Sequence, residues 1–370
     1  MSLKLEKKKK ICVYTYLPQD VDLAIPLVKT LEKFGLDVFI YVDEQLIASS
    51  PRSLRKYNQE KIKYVRHPLR KCVLFFRKHW FDPVWQPASS IFISIVESNL
   101  PPHKLGKDQT LKAIEKRKIT ATYQHGIDNI GLNYSDVENP IQDVTFYSDI
   151  VWIWGDKEKL HKDINSKNLN KVVSVGCIKA IEAFDSPALP NAEHYEKVIG
   201  VFENLHWLRY SEEYRDTFLK YVYAAAKEFT NMLFVIKPHH TGRWLTGKLK
   251  KSIKLESDNI LILDPKDSTW EKFTAPAIIK SCDKVLSTPS TVVLDACLQG
   301  KPVAVMGDED CLSNYNGIQN IRNYDSMRQF LMGAENTNDG EEFLLSYGCN
   351  DSDAVGRKMA DSLFEAMKAQ

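Results

Sequence analysis

The chain has 370 residues, 44% hydrophobic and 26% charged, with a formal net charge of +2; that balance excludes a disordered, fibrous or membrane-spanning protein, and the length suits two domains with a cleft between them. No stretch approaches the roughly 18–20 uninterrupted apolar residues of a bilayer span, and Met1–Lys10 lacks the apolar centre of a secretion signal, so a cytoplasmic protein is expected, at most peripheral at the inner membrane. The seven cysteines are odd in number and no two stand at CxxC spacing, which argues against a zinc knuckle or a disulfide framework.

Along the chain, short runs rich in β-branched and aromatic residues alternate with longer charged, helix-like stretches, the pattern of βαβ units around parallel sheets. The predicted strands of the first half are Ile11–Tyr16, Asp37–Val42, Lys61–Val65, Ile91–Val96, Ile119–Gln124, Ile150–Trp154 and Val172–Val175. Between the first two, a helix is predicted over Asp22–Phe34, stopped by Gly35 in the position of a C-terminal cap. Charge is lopsided: residues 1–120 hold 23 Lys and Arg against 12 Asp and Glu, whereas the rest hold 27 against 36. The excess is densest over Arg52–Lys78, and Lys71–Trp85 interleaves cations with large apolar rings. Residues 52–85 therefore suit an anionic membrane surface, or else a solvated basic face over an ordinary core helix. No nucleic-acid recognition motif accompanies the patch and the rest of the chain is acidic, so nucleic acid is not an expected partner.

Ala183–Asn191, with two prolines among turn formers, reads as a linker. A second series of strands follows: Val198–Glu203, Met232–Lys237, Ile260–Leu263, Lys284–Ser287 and Pro302–Met306. Ser352–Lys368 carries Val355, Met359, Leu363, Phe364 and Met367 at roughly helical spacing. The expected architecture is α/β: two Rossmann-like domains, residues 1–185 on the acceptor side and 186–350 holding a nucleotide donor, with a C-terminal helix at 351–370.

The chemistry-bearing residues fall at predicted strand ends. Ser287-Thr288-Pro289-Ser290-Thr291 joins a strand to a helix that Gly300 stops. Hydroxyls and backbone N–H groups at such a junction bind anions, usually phosphate, although Ser and Thr are also simply good helix caps. Upstream, Lys237-Pro238-His239 ends another strand of the same sheet. Lys237 would supply fixed charge to a diphosphate and His239 could protonate a leaving phosphate, or both are exposed polar turn residues. Glu203 and Asn204 should point into the same crevice. In the first half, Gln124-His125-Gly126 follows a strand; His125 is placed to act as general base on an acceptor hydroxyl, with Asp128 as its orienter or as the carboxylate itself.

His125-Gly126, then Lys237-Pro238-His239, then Ser287–Thr291 with Asp295 and Gly300-Lys301-Pro302, resemble the order of motifs in GT-B fold transferases that build bacterial surface polysaccharides. The pattern is similar to the CDP-glycerol glycerophosphotransferases and to capsule-type transferases that use nucleotide sugars, including CMP-activated Kdo and sialic acid. The resemblance implies a base at His125, donor-phosphate contact at His239, and phosphate binding at Ser290 and Thr291, with Asp295 nearby. It implies a UDP- or CMP-linked donor as substrate, no cofactor and no metal, so that Asp308-Glu309-Asp310 is an acidic loop. Two departures, Lys-Pro-His-His240 in place of Lys-Pro-His-Pro and Ser-Thr-Pro-Ser-Thr291 in place of Asp-Tyr-Ser-Ser, weigh against a polyol-phosphate donor. The expected function is transfer of a glycosyl group to a saccharide or lipid-linked acceptor. The alternatives are a CDP-polyol phosphotransferase, a UDP-sugar 2-epimerase and a non-catalytic nucleotide- or glycan-binding protein.

Overall fold

The structure is a computed structural model that describes residues 9–50, 52–66, 85–127, 143–160, 164–179, 188–205, 210–239, 245, 256–264, 267–270, 272–307, 312–333, 339–349 and 351–369. Asp128, His240, Asp308–Asp310, residues 67–84 and residues 183–187 of the predicted linker lie outside them.

The first sheet is wholly parallel: β1 (Lys10–Thr15), β2 (Asp37–Val42), β3 (Tyr64–Arg66), β4 (Ile91–Ser94), β5 (Ile119–Tyr123), β6 (Ile150–Ile153) and β7 (Val172–Ser174), in the spatial order β3-β2-β1-β4-β5-β6-β7. Its central strands read as continuous apolar runs because helices cover both faces; β4, β5 and β6 are buried at every residue. β3 starts three residues later than the sequence predicts. Lys61 is left-handed (φ 56) and Ile62 N–H closes a turn onto Tyr57 O, so the chain cannot extend until after it. Helix α1 (Val21–Lys33) buries its apolar stripe on this sheet and ends before Gly35, whose φ of 79 reverses the chain into β2. Further helices are α2 (Glu44–Ser49), α3 (Arg52–Gln59) and α4 (Lys104–Glu115).

The second sheet holds β8 (Lys197–Glu203), β9 (Met232–Pro238), β10 (Ile260–Ile262), β11 (Lys284–Ser287), β12 (Val303–Val305) and β13 (Gln319–Asn320), in the order β10-β9-β8-β11-β12-β13, again all parallel. β13, two residues with no apolar run, is the strand the sequence does not predict. The helices are α5 (Glu212–Glu228), α6 (Ala275–Lys280), α7 (Val292–Leu298), α8 (Tyr324–Met332), α9 (Asp339–Ser346) and α10 (Ser352–Lys368). Lys284, 1% exposed, enters this sheet as a cation because its ammonium donates to Phe330 O (2.6 Å), Leu331 O (3.3 Å) and Gly333 O (2.6 Å) at the carboxyl end of α8.

α10, predicted residue for residue, leaves the second sheet and packs on α1 of the first. Gly356 permits the approach: a Cβ there would lie 2.2 Å from Thr30 Cγ2. Lys33 pairs with Asp353 (2.8 Å), and Trp152 Nε1–H donates to Ser362 Oγ (2.9 Å). One apolar cluster runs from the first sheet into the inner face of the second. These are two Rossmann-like domains and a C-terminal helix.

Candidate functional site

In open parallel sheets the binding crevice opens at the carboxyl edge where neighbouring strands connect in opposite directions. The strand orders place these points between β1 and β4 in the first domain and between β8 and β11 in the second.

At the second crevice β8 delivers Glu203 and Asn204, β9 delivers Lys237 and His239, and β11 delivers Ser287–Thr291. The structure thus brings these sequence-predicted residues to one sheet edge. Most of the hydroxyls are spent internally. Thr288 Oγ1 donates to Asn204 Oδ1 (2.6 Å) and accepts from Asn204 N–H (3.1 Å), while Asn204 Nδ2 donates to Pro289 O (2.7 Å). Ser287 Oγ donates to Thr288 O (2.6 Å), and Ser290 Oγ accepts from Val292 N–H (3.3 Å). His239 N–H donates to Glu203 O (3.0 Å), locking the end of β9 to β8. Glu203, 3% exposed, receives Leu205 N–H on Oε2 (2.6 Å), whereas its Oε1 has no partner among the described residues. Burial pushes this carboxyl up to about 7, against the hydrogen bonds it accepts.

At the carboxyl edge of β5, Gln124 clamps the His125 turn: its Nε2 donates to Gly126 O (2.9 Å) and its Oε1 accepts from Trp154 N–H (2.9 Å). The turn reaches the other domain. Ile127 N–H donates to Thr291 Oγ1 (3.1 Å), and a Cβ on Gly126 would sit 3.1 Å from the same oxygen. His125 is partly buried, its Nδ1 has no partner among the described residues, and its ring meets the His103 ring edge-to-face at 6.1 Å. Burial, with a smaller contribution from His103, lowers it to about 3, so the imidazole is neutral at physiological pH. His103, lowered to about 4 by burial, lies 2.7 Å from Ser98 Oγ through Nδ1. Glu97, 1% exposed, accepts from Tyr147 N–H (3.0 Å) and Ser148 N–H (2.9 Å). It lines a small cavity with His103, Thr122 and Gln124.

Asp295, expected beside the donor, is buried in an ion pair with Lys179 at 2.6 Å, which ties α7 to the segment after β7. Burial pulls the Lys179 ammonium down, and the carboxylates of Asp295 and Asp22 more than reverse it. The basic patch is also partly committed, since Lys56 pairs with Asp22 (2.7 Å) and Lys63 with Asp37 (3.1 Å). Residues that the sequence reading did not single out are Asp20, Glu97 and His103; they stand in the segments that follow β1 and β4, with Asp20 and His103 each at the end of a short helical turn before a helix, a placement that no local pattern announces. Among the described residues no group of three or more His, Cys, Asp or Glu could hold a metal, and no helix is long and apolar enough to cross a membrane.

No known protein family matches the chain, and no curated protein matches it. Solved structures do. The chain is similar to the S. aureus MnaA protein in its co-structure with UDP (15% identity, 95% of each chain, TM-score 0.61). It is similar to the UDP-GlcNAc 2-epimerase of Neisseria meningitidis bound to UDP-GlcNAc (13% identity, 96% of this chain and 100% of that one, TM-score 0.57). It is also similar to a glycosyltransferase from Rickettsia africae ESF-5 (13% identity, 99% and 100%, TM-score 0.54). The two domains and returning helix are those of the GT-B fold.

Proposed function

We propose that the chain is a metal-independent glycosyltransferase that moves a sugar from a nucleotide-activated donor to a saccharide or lipid-linked acceptor of a bacterial surface polysaccharide. The observation that carries this reading is the contact of Ile127 with Thr291, which sets a neutral histidine of one domain beside the strand-to-helix junction of the other. The donor diphosphate lies along Lys237, His239, Ser290 and Thr291, where cationic side chains and peptide dipoles offset the charge that develops on the leaving phosphate. Glu203 and Asn204 border it. His125 accepts the proton of the attacking hydroxyl through its unpartnered Nδ1. An anionic donor brought opposite the ring raises the imidazole's proton affinity and so improves it as a base. Asp128, which follows His125 by three residues, is in this proposal its orienter or the carboxylate base itself. A lipid-linked acceptor would use residues 52–85 to meet anionic headgroups.

A second reading, sugar-nucleotide 2-epimerisation, is favoured by the match of nearly the whole chain to an enzyme of that name. Incubation with UDP-GlcNAc in the absence of any acceptor separates the two: an epimerase forms a new UDP-sugar, a transferase does not. The transferase reading is tested by thermal shift across UDP-, CDP- and CMP-linked compounds, because a ligand that binds only the folded state raises its stability, and then by turnover with saccharide acceptors. His125→Ala should keep the nucleotide-induced shift and lose about 10² or more of turnover, the scale of a lost general base. Absence of any nucleotide shift overturns both readings.

A further inference from the structure

The first-domain crevice holds a set of polar atoms that the transfer chemistry above does not use. Tyr16 follows β1 and Asp20 closes the short turn before α1; they are 2% and 0% exposed. Asp20 spends Oδ2 on the turn, accepting from Tyr16 N–H (2.9 Å) and Leu17 N–H (2.8 Å). Its Oδ1 has no partner among the described residues, and neither has Tyr16 OH nor Gln19 Oε1. Three unpartnered polar atoms within five residues of one loop are unusual, since buried polar groups are nearly always hydrogen-bonded.

The residues that carry these atoms are held firmly. The Tyr16 ring stacks on Tyr14 at 5.5 Å, and Tyr14 OH is fixed to Asp43 Oδ2 at 2.8 Å. Leu17–Gln19 are partly exposed, so the loop meets the cleft there, with Tyr16 and Asp20 beneath it. Charge selects the ligand. The carboxyl groups of Asp20, Glu97 and Asp43 all bear on the Tyr16 phenol, and whether protonated or ionised they offer a phosphate no positive charge. A phenol hydroxyl that can donate or accept, a carboxyl oxygen and an amide oxygen match sugar hydroxyls, which also do both.

We infer that Tyr16, Gln19 and Asp20 form a subsite that reads the hydroxyl groups of an uncharged saccharide at the carboxyl edge of β1. The inference rests on the two-substrate reading and assigns it an acceptor-side pocket distinct from the His125 turn. The saccharide meets the loop at the partly exposed Leu17–Gln19, and its hydroxyls complete the bonds that Tyr16 OH, Gln19 Oε1 and Asp20 Oδ1 lack.

Saturation-transfer NMR with neutral methyl glycosides tests this on wild type, Tyr16→Phe, Gln19→Ala and Asp20→Asn, with UDP affinity measured on each. Tyr16→Phe removes one hydroxyl, and Asp20→Asn keeps an acceptor for the two turn N–H groups, so both should fold; circular dichroism verifies it. The expected result is saccharide signal in wild type, reduced at least about fivefold in Tyr16→Phe and Asp20→Asn, with UDP affinity unchanged within about twofold. Saccharide signal equal to wild type in all three variants overturns the inference and leaves the nucleotide reading standing, as does wild type giving no signal with any glycoside. Glycoside binding that depends on these residues in a protein that ignores UDP and other nucleotides overturns the donor reading and supports the subsite.

Discussion

At the β8–β11 edge nearly every hydroxyl has a partner: Thr288 and Asn204 bond each other twice, Asn204 reaches Pro289, and Ser287 folds onto Thr288 O. At the β1–β4 edge Tyr16 OH, Gln19 Oε1 and Asp20 Oδ1 are left without partners among the described residues, beside a bonded group of Glu97, Ser98 and His103. The hydroxyl network of the second crevice is therefore satisfied, with only Glu203 Oε1 unpartnered beside it among the described residues, whereas three polar atoms cluster unsatisfied before α1. Satisfied networks specify geometry, whereas unsatisfied buried groups cost stability unless something else supplies the missing bond. On the proposed reading, the second crevice holds its backbone dipoles in place for the donor phosphate, and the first has hydrogen-bonding capacity left for the saccharide.

The strongest way to break the comparison is to separate the two edges. Lys179→Ala leaves Asp295 a buried carboxylate without its cation, which should cost about 3–5 kcal/mol, the usual penalty for removing one partner of a buried pair. Lys179→Met combined with Asp295→Leu should recover most of it. Chemical denaturation of the three proteins checks this, and a double variant as unstable as the single one would remove the pair as the cause.

Next in size is the satisfied network. Thr288→Val keeps the shape and strands both Asn204 N–H and Asn204 Oδ1, so a loss of about 2–3 kcal/mol is expected. Gln19→Ala, on the unsatisfied side, should fall within about 0.5 kcal/mol of wild type. Equal losses would erase the distinction between the edges.

How far the site was legible in the sequence follows from the same contrast. The Ser287–Thr291 cluster stood out because hydroxyls before a helix are a local pattern, and the strands because their apolar runs are local too. Which hydroxyls remain for a ligand is a tertiary fact: nothing near Thr291 in sequence announces Ile127, nor near Asp295 the Lys179 that takes it. Asp20 offers no such local signal: an acid before a helix reads as a cap, yet its side chain makes no cap bond to α1 and turns back to Tyr16 N–H and Leu17 N–H. That its other oxygen is buried without a partner among the described residues is a tertiary fact, as is β4 lying beside β1.

A pH series sharpens the comparison with a smaller effect. Burial raises Asp20 to about 7 from the ordinary carboxylate range, as it does Glu203. A group whose folded pKa is raised contributes its stability below the unfolded value, near 4, and that contribution is lost as pH climbs through about 7. Asp20→Asn and Glu203→Gln remove a carboxyl that must ionise, so each variant's melting temperature relative to wild type should rise between pH 5 and pH 8. A gain of roughly 2–4 °C would correspond to about 1 kcal/mol in a domain of this size. A gap that stays constant or shrinks with pH would show that neither carboxyl titrates in this range.

The smallest effect on stability is the one that best divides the two roles of a hydroxyl. Tyr14 near the end of β1 and Tyr16 just beyond it have stacked rings, but Tyr14 OH donates to Asp43 at 2.8 Å while Tyr16 OH has no partner among the described residues. Removing a hydroxyl that makes a net hydrogen bond to a charged group costs about 1.5–3 kcal/mol, whereas removing one that makes none is close to neutral or stabilising. Tyr14→Phe should therefore melt lower than wild type, and Tyr16→Phe at or slightly above it. If Tyr16→Phe destabilises as much as Tyr14→Phe, its hydroxyl is bonded in solution, and the first crevice is as satisfied as the second. If it does not, the hydroxyl adds nothing to the folded state alone, as the proposed saccharide subsite requires.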